Sequence, residues 1–213
     1  MTTDQVRTWN GKFGRDYTER NYFVDDAAFN DFYVKRYGQP RDKVFSEWLC
    51  ALPRDAKILE VGANIGNQLR CMQRIGFSRL YGVEIQRHCV DESRKLYTGI
   101  DIVEGSGFDI PFKDEWFDLV FTNNVLIHIA PGDLPRMQRE IVRVSSEWIM
   151  GFEYFAPEFT EIPYRGNTHL LWKADYAKLY LENESNLKVE REQLFLCLDE
   201  PENTDKLFLL KKS

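Results

Sequence analysis

The chain has 213 residues, of which 43% are hydrophobic and 14% aromatic, enough for one α/β domain with a substantial core. Its formal net charge is -6, and the sequence contains no run of Lys or Arg. Because such a chain would repel a phosphate backbone, we expect no nucleic-acid partner. The first residues carry no signal sequence and no stretch approaches the roughly 18 apolar residues of a membrane span, which predicts a cytoplasmic protein outside the membrane.

The cysteines show neither close pairing nor the spacing of a metal site. We therefore expect reduced thiols, and the apolar surroundings of Cys50, Cys71 and Cys89 predict that these three are buried, whereas Cys197 carries no such signal.

Helices and strands alternate along most of the chain, which predicts a mostly parallel, Rossmann-like sheet with helices on both faces. Strand-like segments in the tail, joined by a polar turn, predict an antiparallel C-terminal hairpin. Residues 1–42 are expected to form a helical lid and residues 43–213 the main domain of a single structural unit. In chain order, the predicted elements are a helix 45–52, strand 57–61, helix 68–75, strand 79–83, helix 86–97, strands 100–104 and 117–121, helix 133–144, strand 148–152 and the hairpin 187–198 with 206–211.

The most informative segment is residues 58–67, where an apolar strand leads into a Gly-containing turn and then a helix. Gly62 and Gly66 tolerate positive φ and carry no Cβ, so a ligand can approach the backbone closely. The next helix directs unpaired N–H groups toward that ligand. The pattern predicts a site for a nucleotide-like molecule.

Two later strands end in polar residues at the same predicted sheet edge. Glu84 ends the second strand at the spacing expected of a carboxylate that binds ribose hydroxyls. Asn123 ends the fourth strand, and His128 follows it in an apolar segment. Ligands bind at the carboxyl edge of such sheets, so these residues are expected to meet there.

Together these residues resemble the class I S-adenosylmethionine-dependent methyltransferases over roughly residues 43–213. Residues 60–66, Glu-Val-Gly-Ala-Asn-Ile-Gly, match the family's first motif, and Glu84 matches its second-strand acid. The chain departs from the motif at Asn64, where the family usually has glycine; this side chain either bonds the ligand or supports the turn. Segments 9–21, 82–86 and 164–166 resemble, more narrowly, the methylases associated with pseudaminic acid biosynthesis.

The resemblance implies S-adenosylmethionine as methyl donor, S-adenosylhomocysteine as product and no metal. Glu84 then binds the ribose, the Gly62 backbone lies beside the methionine part, and Ile85 contacts the adenine. Glu60 either contacts the donor's amino acid or caps the turn. The remaining donor-site candidates are Gly66, Asn64, Asn123, Ser106, Gly107, Phe108 and, from the lid, Tyr17 and Arg20. For Phe108 the alternative is plain core packing.

The acceptor is expected to be a small molecule, and the narrower resemblance implies a bacterial nonulosonic acid sugar or surface-glycan precursor. The general base that removes the acceptor's proton is expected to be His128, unless this histidine has only a structural role. His169 and Glu153 are the other candidates for the base. Arg165 is expected to pair with the carboxylate of an acidic sugar, or else to form a surface ion pair. The acceptor-binding candidates are Glu153, Tyr154, Tyr164, Arg165 and Trp172, with Asn123 facing donor or acceptor.

Three other functions fit parts of the pattern. A nucleotide-dependent oxidoreductase shares the strand, turn, helix and ribose acid, but the missing middle glycine and the antiparallel tail disfavour it. A methyltransferase that acts on another small metabolite is the runner-up, and a donor-binding module without catalysis stays open, because the acceptor site has no fixed signature.

Overall fold

A computed structural model describes residues 4–213. The helices are α1 (Asp4–Trp9), α2 (Lys12–Arg20), α3 (Asp26–Tyr37), α4 (Arg41–Trp48), α5 (Asn67–Arg74), α6 (Arg87–Leu96), α7 (Leu134–Val144) and α8 (Tyr176–Asn183), with a short 3-10 helix at Leu126–His128. The strands are β1 (Lys57–Val61), β2 (Arg79–Glu84), β3 (Ile100–Glu104), β4 (Phe117–Asn123), β5 (Ser145–Tyr154), β6 (Thr160–Glu161), β7 (Trp172–Lys173), β8 (Leu187–Leu196) and β9 (Thr204–Lys212).

The main sheet has seven strands in the order β3-β2-β1-β4-β5-β9-β8. Neighbours among β1 to β5 run parallel, and β9 is antiparallel to both β5 and β8. The parallel strands are buried apolar runs, as expected when helices cover both faces. The predicted Rossmann-like sheet with a C-terminal hairpin is confirmed.

Two apolar cores pack on the two faces of the sheet. Side chains of α3, α4, α5 and α6 contribute to one core, and those of α7 and α8 to the other. The carboxyl ends of β1, β2 and β4 open between these layers, which is where a Rossmann-like sheet binds its ligands.

The predicted boundaries hold best where an apolar strand is flanked by turn residues. Strands 57–61 and 100–104 have the predicted limits. By contrast, β5 begins at Ser145 rather than at residue 148. Its first three residues are polar and follow α7 without a loop, so the sequence did not mark them as part of a strand. The predicted boundary between residues 42 and 43 falls inside α4, so the division into lid and main domain stays a prediction.

Outside the lid, four short elements were not predicted, one of them the 3-10 helix at Leu126–His128. Strands β6 and β7 pair with each other over two residues each, too few to show a periodic pattern. Helix α8 begins after Asp175, whose carboxylate accepts a hydrogen bond from the backbone N–H of Lys178 at 3.2 Å. This N-cap is the signal in the sequence that identifies the helix.

All four cysteines are free thiols. Cys71, Cys89 and Cys197 are buried, but Cys50 is exposed, so its predicted burial is wrong. Cys50 lies in the turn just after α4, beyond the apolar face of that helix. None of the described helices is long and apolar enough to cross a bilayer.

Candidate active site

A cleft opens at the carboxyl ends of β1, β2 and β4 and encloses about 1270 Å³, including the space at its open mouth. It is lined by the predicted residues Tyr17, Glu60, Gly62, Asn64, Glu84, Ile85, Ser106, Gly107, Phe108, Asn123 and His128, among others.

The turn after β1 is held open by backbone geometry. Gly62 has φ +76°, and the N–H groups of Gly62 and Ala63 donate to the Val83 carbonyl at 2.8 and 3.1 Å. A Cβ on Gly62 would lie 2.6 Å from Cγ2 of Val125, so only glycine fits both the conformation and the contact. Gly66, with φ +91°, begins α5 but does not line the cleft.

Glu84 is 5% exposed and holds the two loops beside it. Its Oε2 accepts the Asn64 N–H and its Oε1 accepts the Gln86 N–H, both at 2.8 Å. Burial raises the pKa of Glu84, and these N–H donors oppose that shift. Each carboxylate oxygen has a second lone pair, so Glu84 can also accept bonds from two neighbouring hydroxyls of a ligand.

The side chain of Asn64 supports the turn. Its Nδ2 donates to Thr18 Oγ1 at 2.9 Å, and its Oδ1 accepts the Ile65 N–H at 2.8 Å. Asn64 has φ 49°, a conformation that asparagine tolerates better than most residues. The amide that replaces the family's glycine therefore ties the turn to α2.

Glu60 is 3% exposed, and its Oε2 has no hydrogen-bond partner. Burial, and secondarily the nearby Glu84, raises its pKa well above the usual range. Gln86 likewise has an unpartnered buried Oε1. Buried acceptors without partners are rare. Gln86 Oε1 packs against Gly14, whereas the unpartnered oxygen of Glu60, a cleft-lining residue, fits a ligand with a hydrogen-bond donor.

The loop after β3 forms part of the cleft wall. A Cβ on Gly107 would lie 2.4 Å from Cε of Met137, so this glycine allows close packing of the loop on α7. Ser106 Oγ accepts the Phe108 N–H at 3.2 Å, and Phe108 is 7% exposed. Phe108 therefore both packs in the core and contributes to the cleft wall.

His128 is a neutral hydrogen-bonded group in this cleft. Its Nδ1 lies 2.7 Å from the Leu170 carbonyl, which only accepts, so Nδ1 carries the proton and Nε2 keeps a lone pair. Burial lowers the pKa of His128 to about 4. The Trp9 ring covers it at a centroid distance of 4.4 Å.

Asn123 is oriented by a buried arginine that was not predicted. Arg41 is 1% exposed, and its Nη2 donates to Asn123 Oδ1 at 3.2 Å. Because arginine only donates, the Asn123 oxygen is engaged and its NH₂ group is left for other partners. Asn123 lines the cleft, whereas Arg41 does not.

Glu153 lies beneath the cleft instead of lining it. The Val125 and Ile127 N–H groups donate to its two carboxylate oxygens at 3.3 and 3.4 Å. It is 1% exposed, and burial raises its pKa to about 8. Glu153 therefore anchors the loop that carries Val125 and His128, and the geometry does not support its expected role as base or acceptor ligand.

The other predicted acceptor residues also lie outside the cleft lining. The side chain of His169 is 77% exposed and pairs with Glu161 at 3.1 Å. Tyr154 accepts from Arg36 at 3.4 Å, and Tyr164 contacts the His128 ring at 5.6 Å from behind the lining. The residues that sequence reasoning placed at the site but that do not line it are Arg20, Gly66, Glu153, Tyr154, Tyr164, Arg165, His169 and Trp172.

The physical reason is the path of the connection after β5. Residues around Arg165 and His169 are exposed, so these two side chains face solvent instead of the cleft. Trp172 is buried in β7. Arg20 is exposed at the end of α2, whereas Tyr17, one turn earlier, reaches the cleft.

Side chains of the N-terminal helices reach the cleft, and their role as a lid stays a prediction. Trp9 and Tyr17 line the cleft and contact each other at 5.2 Å. A Cβ on Gly14 would lie 1.9 Å from the Trp9 carbonyl and 2.5 Å from Gln86 Oε1, so glycine is needed where α2 meets the domain. Sequence reasoning missed a further group of lining residues that includes Phe29, Phe32, Tyr33, Gln68, Gln86 and Asn124.

Comparisons with known proteins agree with this architecture. Residues 59–147 match the family model described as "Methyltransferase domain". Over 139 residues, 58% of this chain, the sequence is 26% identical to the glycine/sarcosine/dimethylglycine N-methyltransferase of Actinopolyspora halophila. The chain spans only 24% of that protein's length.

Two solved structures share the fold. Magnesium protoporphyrin IX methyltransferase from Synechocystis PCC 6803, crystallised with bound SAM, has a TM-score of 0.70 at 14% identity, with 100% of this chain and 99% of that chain covered. A putative sarcosine dimethylglycine methyltransferase from Galdieria sulphuraria has a TM-score of 0.64 at 14% identity, with 81% and 84% covered. Residues 59–147 therefore match a methyltransferase domain, and the chain has the fold of methyltransferase structures, one of them crystallised with bound SAM.

Proposed function

We propose that this protein transfers the methyl group of S-adenosylmethionine to a hydroxyl or amine of a small molecule. The observation that carries the proposal is the pair of buried acids, Glu60 and Glu84, on either side of the Gly62 turn in one cleft. Their acceptor oxygens match the donors of the cofactor, which are an amino group and the two ribose hydroxyls.

Each part of the cofactor has a partner of fitting chemistry. Glu84 accepts the ribose hydroxyls with the lone pairs that the Asn64 and Gln86 N–H groups leave free. The unpartnered Oε2 of Glu60 accepts the amino group beside the Gly62 backbone. Ile85, Ser106, Gly107 and Phe108 would hold the adenine, and Tyr17 would cover the site; Gly66 and Arg20 do not line the cleft and would make no contact.

The cofactor supplies a methyl group on a sulfonium, which is activated by its positive charge and leaves as the carbon–sulfur bond breaks while the bond to the acceptor forms. The cleft residues position the acceptor in line with that methyl, which can supply roughly 7–11 kcal/mol of the barrier. Trp9 and Tyr17 exclude water above the site.

His128 is the candidate base that the cleft contains. Its Nε2 lone pair is available because Nδ1 donates to the Leu170 carbonyl. With its pKa lowered to about 4, the ring binds a proton weakly, so it serves as a hydrogen-bond acceptor that orients the acceptor group and passes the proton on to solvent. His169 and Glu153 lie outside the lining and are not assigned this role.

We further propose a bacterial sugar, such as a nonulosonic acid or another surface-glycan precursor, as acceptor. The support is the resemblance of residues 9–21, 82–86 and 164–166 to pseudaminic acid-associated methylases. An amine metabolite is the second candidate, because the relative from Actinopolyspora halophila is named an N-methyltransferase of glycine and its methylated forms. Cytoplasmic localisation and the absence of a nucleic-acid partner remain predictions.

The test is transfer of labelled methyl from S-adenosylmethionine into a metabolite extract, separated into small-molecule and macromolecular fractions, with Glu84→Ala as blank. Label in small molecules supports the proposal and isolates the acceptor. Label only in macromolecules contradicts the small-molecule assignment. Cofactor binding without any transfer supports a non-catalytic binding module instead.

A further inference from the structure

An aromatic wall closes one end of the cleft. We define it as Phe23, Phe29, Phe32 and Tyr33, all of which line the cleft. Their rings are in mutual contact, with centroid distances of 5.2 Å for Phe23–Phe29, 5.0 Å for Phe29–Tyr33 and 5.1 Å for Phe32–Tyr33. Phe32 is 37% exposed and so reaches the mouth of the cleft.

Tyr33 connects this wall to α5 through Gln68 and, through Arg41, to β4 and β5. The guanidinium of Arg41 lies 3.9 Å from the Tyr33 ring centroid and 4.2 Å from that of Phe152 on β5, and it also bonds Asn123 at the end of β4. The proposed cofactor residues end β1, β2 and β3 instead, and neighbouring strands are about 4.8 Å apart. The aromatic wall shares no residue with the proposed cofactor site.

The wall presents a paired donor and acceptor. Gln68 Nε2 donates to the Tyr33 hydroxyl at 2.6 Å, so the proton of that hydroxyl points elsewhere. Gln68 Oε1 is buried and has no partner. Tyr33 can donate while Gln68 accepts, and a ligand hydroxyl, which both accepts and donates, satisfies the two groups together.

The cleft offers no cation for direct contact with a negatively charged ligand. Among residues 4–213, no Lys or Arg lines it, and Arg165 lies outside. Arg41 is buried behind Tyr33, with its guanidinium occupied by two rings and Asn123. Glu60 and Glu84 are both acidic, so the protein itself supplies no positive charge to pair with a carboxylate on the acceptor.

We propose that the methyl acceptor binds against this aromatic wall as an uncharged, hydroxyl-bearing ring, with one hydroxyl between Tyr33 and Gln68 and an apolar ring face on Phe29 and Phe32. The inference rests on the proposed function, which places the cofactor at β1 to β3. It refines the sugar assignment, because the part of the acceptor inside the cleft carries no negative charge. It also replaces the region around Tyr164, Arg165 and Trp172 as the acceptor site.

The test is saturation-transfer NMR on protein loaded with S-adenosylhomocysteine, with methyl glucoside as uncharged probe and glucuronate as its anionic counterpart. Binding of S-adenosylhomocysteine is measured first by calorimetry, so failure of the cofactor assignment is detected separately. We expect saturation of methyl glucoside and little of glucuronate. Phe32→Ala should weaken the signal about fivefold, the loss expected from one aromatic contact.

The matched control is Phe159→Ala, because Phe159 is 40% exposed and does not line the cleft. It should leave the methyl glucoside signal unchanged, as should Arg165→Ala. Equal or stronger saturation of glucuronate would overturn the proposal. So would an absence of both signals, or a methyl glucoside signal that persists in Phe32→Ala.

Discussion

Individual side chains in this cleft serve two purposes at once, and Glu84 shows this best. Its carboxylate fixes the Asn64 and Gln86 backbones and keeps lone pairs for a ligand. Glu60, by contrast, keeps one oxygen without any partner. The position of Glu84 after β2 was predictable from motif spacing, whereas the unpartnered atoms of Glu60 and Gln86 depend on packing that no local pattern encodes.

Replacing Glu84 with alanine should weaken binding of S-adenosylmethionine at least about tenfold, because the ribose hydroxyls and two buried N–H groups lose their acceptor. Equilibrium dialysis with labelled cofactor measures the change. The control is Glu104→Ala, which removes an acid at the end of β3 with a half-exposed side chain. Unchanged affinity in folded Glu84→Ala protein would refute the assignment.

His128 should make stability depend on pH. Burial lowers its pKa from the ordinary 6.5 to about 4, so between these values the unfolded chain binds a proton that the folded chain excludes. The contribution of His128 to the free energy of unfolding is fully present above pH 6.5. It falls by about 3 kcal/mol as the pH drops to 4, because each unit of pKa difference corresponds to about 1.4 kcal/mol.

Urea unfolding between pH 4 and 7 tests this prediction with His128→Gln, which keeps a donor for the Leu170 carbonyl but does not titrate. The variant should lose less stability on acidification than the wild type. His169→Gln is the control, since that side chain is 77% exposed and should follow the wild type. Parallel acid profiles for His128→Gln and wild type would contradict the account.

At the scale of elements, two loops meet across the cleft floor. The Gly62 turn after β1 contacts Val125 in the loop after β4, and Glu153 on β5 holds that loop through backbone N–H groups. Their strands were predictable, because each is an apolar run bounded by turn residues. The anchoring role of Glu153 was not, since a buried acid and a ligand-binding acid look alike in sequence.

Gly62→Ala should destabilise the fold by about 1–3 kcal/mol, because alanine is strained at φ +76° and its Cβ would meet Val125 at 2.6 Å. It should also weaken cofactor binding, since the turn must shift. Chemical unfolding compares it with Gly132→Ala, where nothing lies within 4 Å of the added Cβ. Equal stability of the two variants would show that the turn is not constrained as described.

At the scale of the whole molecule, the site lies between layers whose meeting was only partly predictable. The sheet order places Glu84 and Asn123 at one edge, as the alternating pattern implied. The aromatic wall reaches that edge only through tertiary packing, which no local pattern encodes. The sequence predicted the aromatic connection around Tyr164 as the acceptor site, whereas we propose the aromatic wall. A TM-score of 0.70 at 14% identity to the Synechocystis enzyme likewise shows that two very different sequences form the same arrangement of layers.

The most direct test of the central claim is a crystal structure of the complex with S-adenosylhomocysteine. We expect the ribose hydroxyls within hydrogen-bond distance of Glu84, the amino group beside Glu60 Oε2 and the adenine among Ile85 and Phe108, with the aromatic wall of α3 uncovered. A ligand that binds outside this cleft, or a ribose that makes no contact with Glu84, would contradict the account.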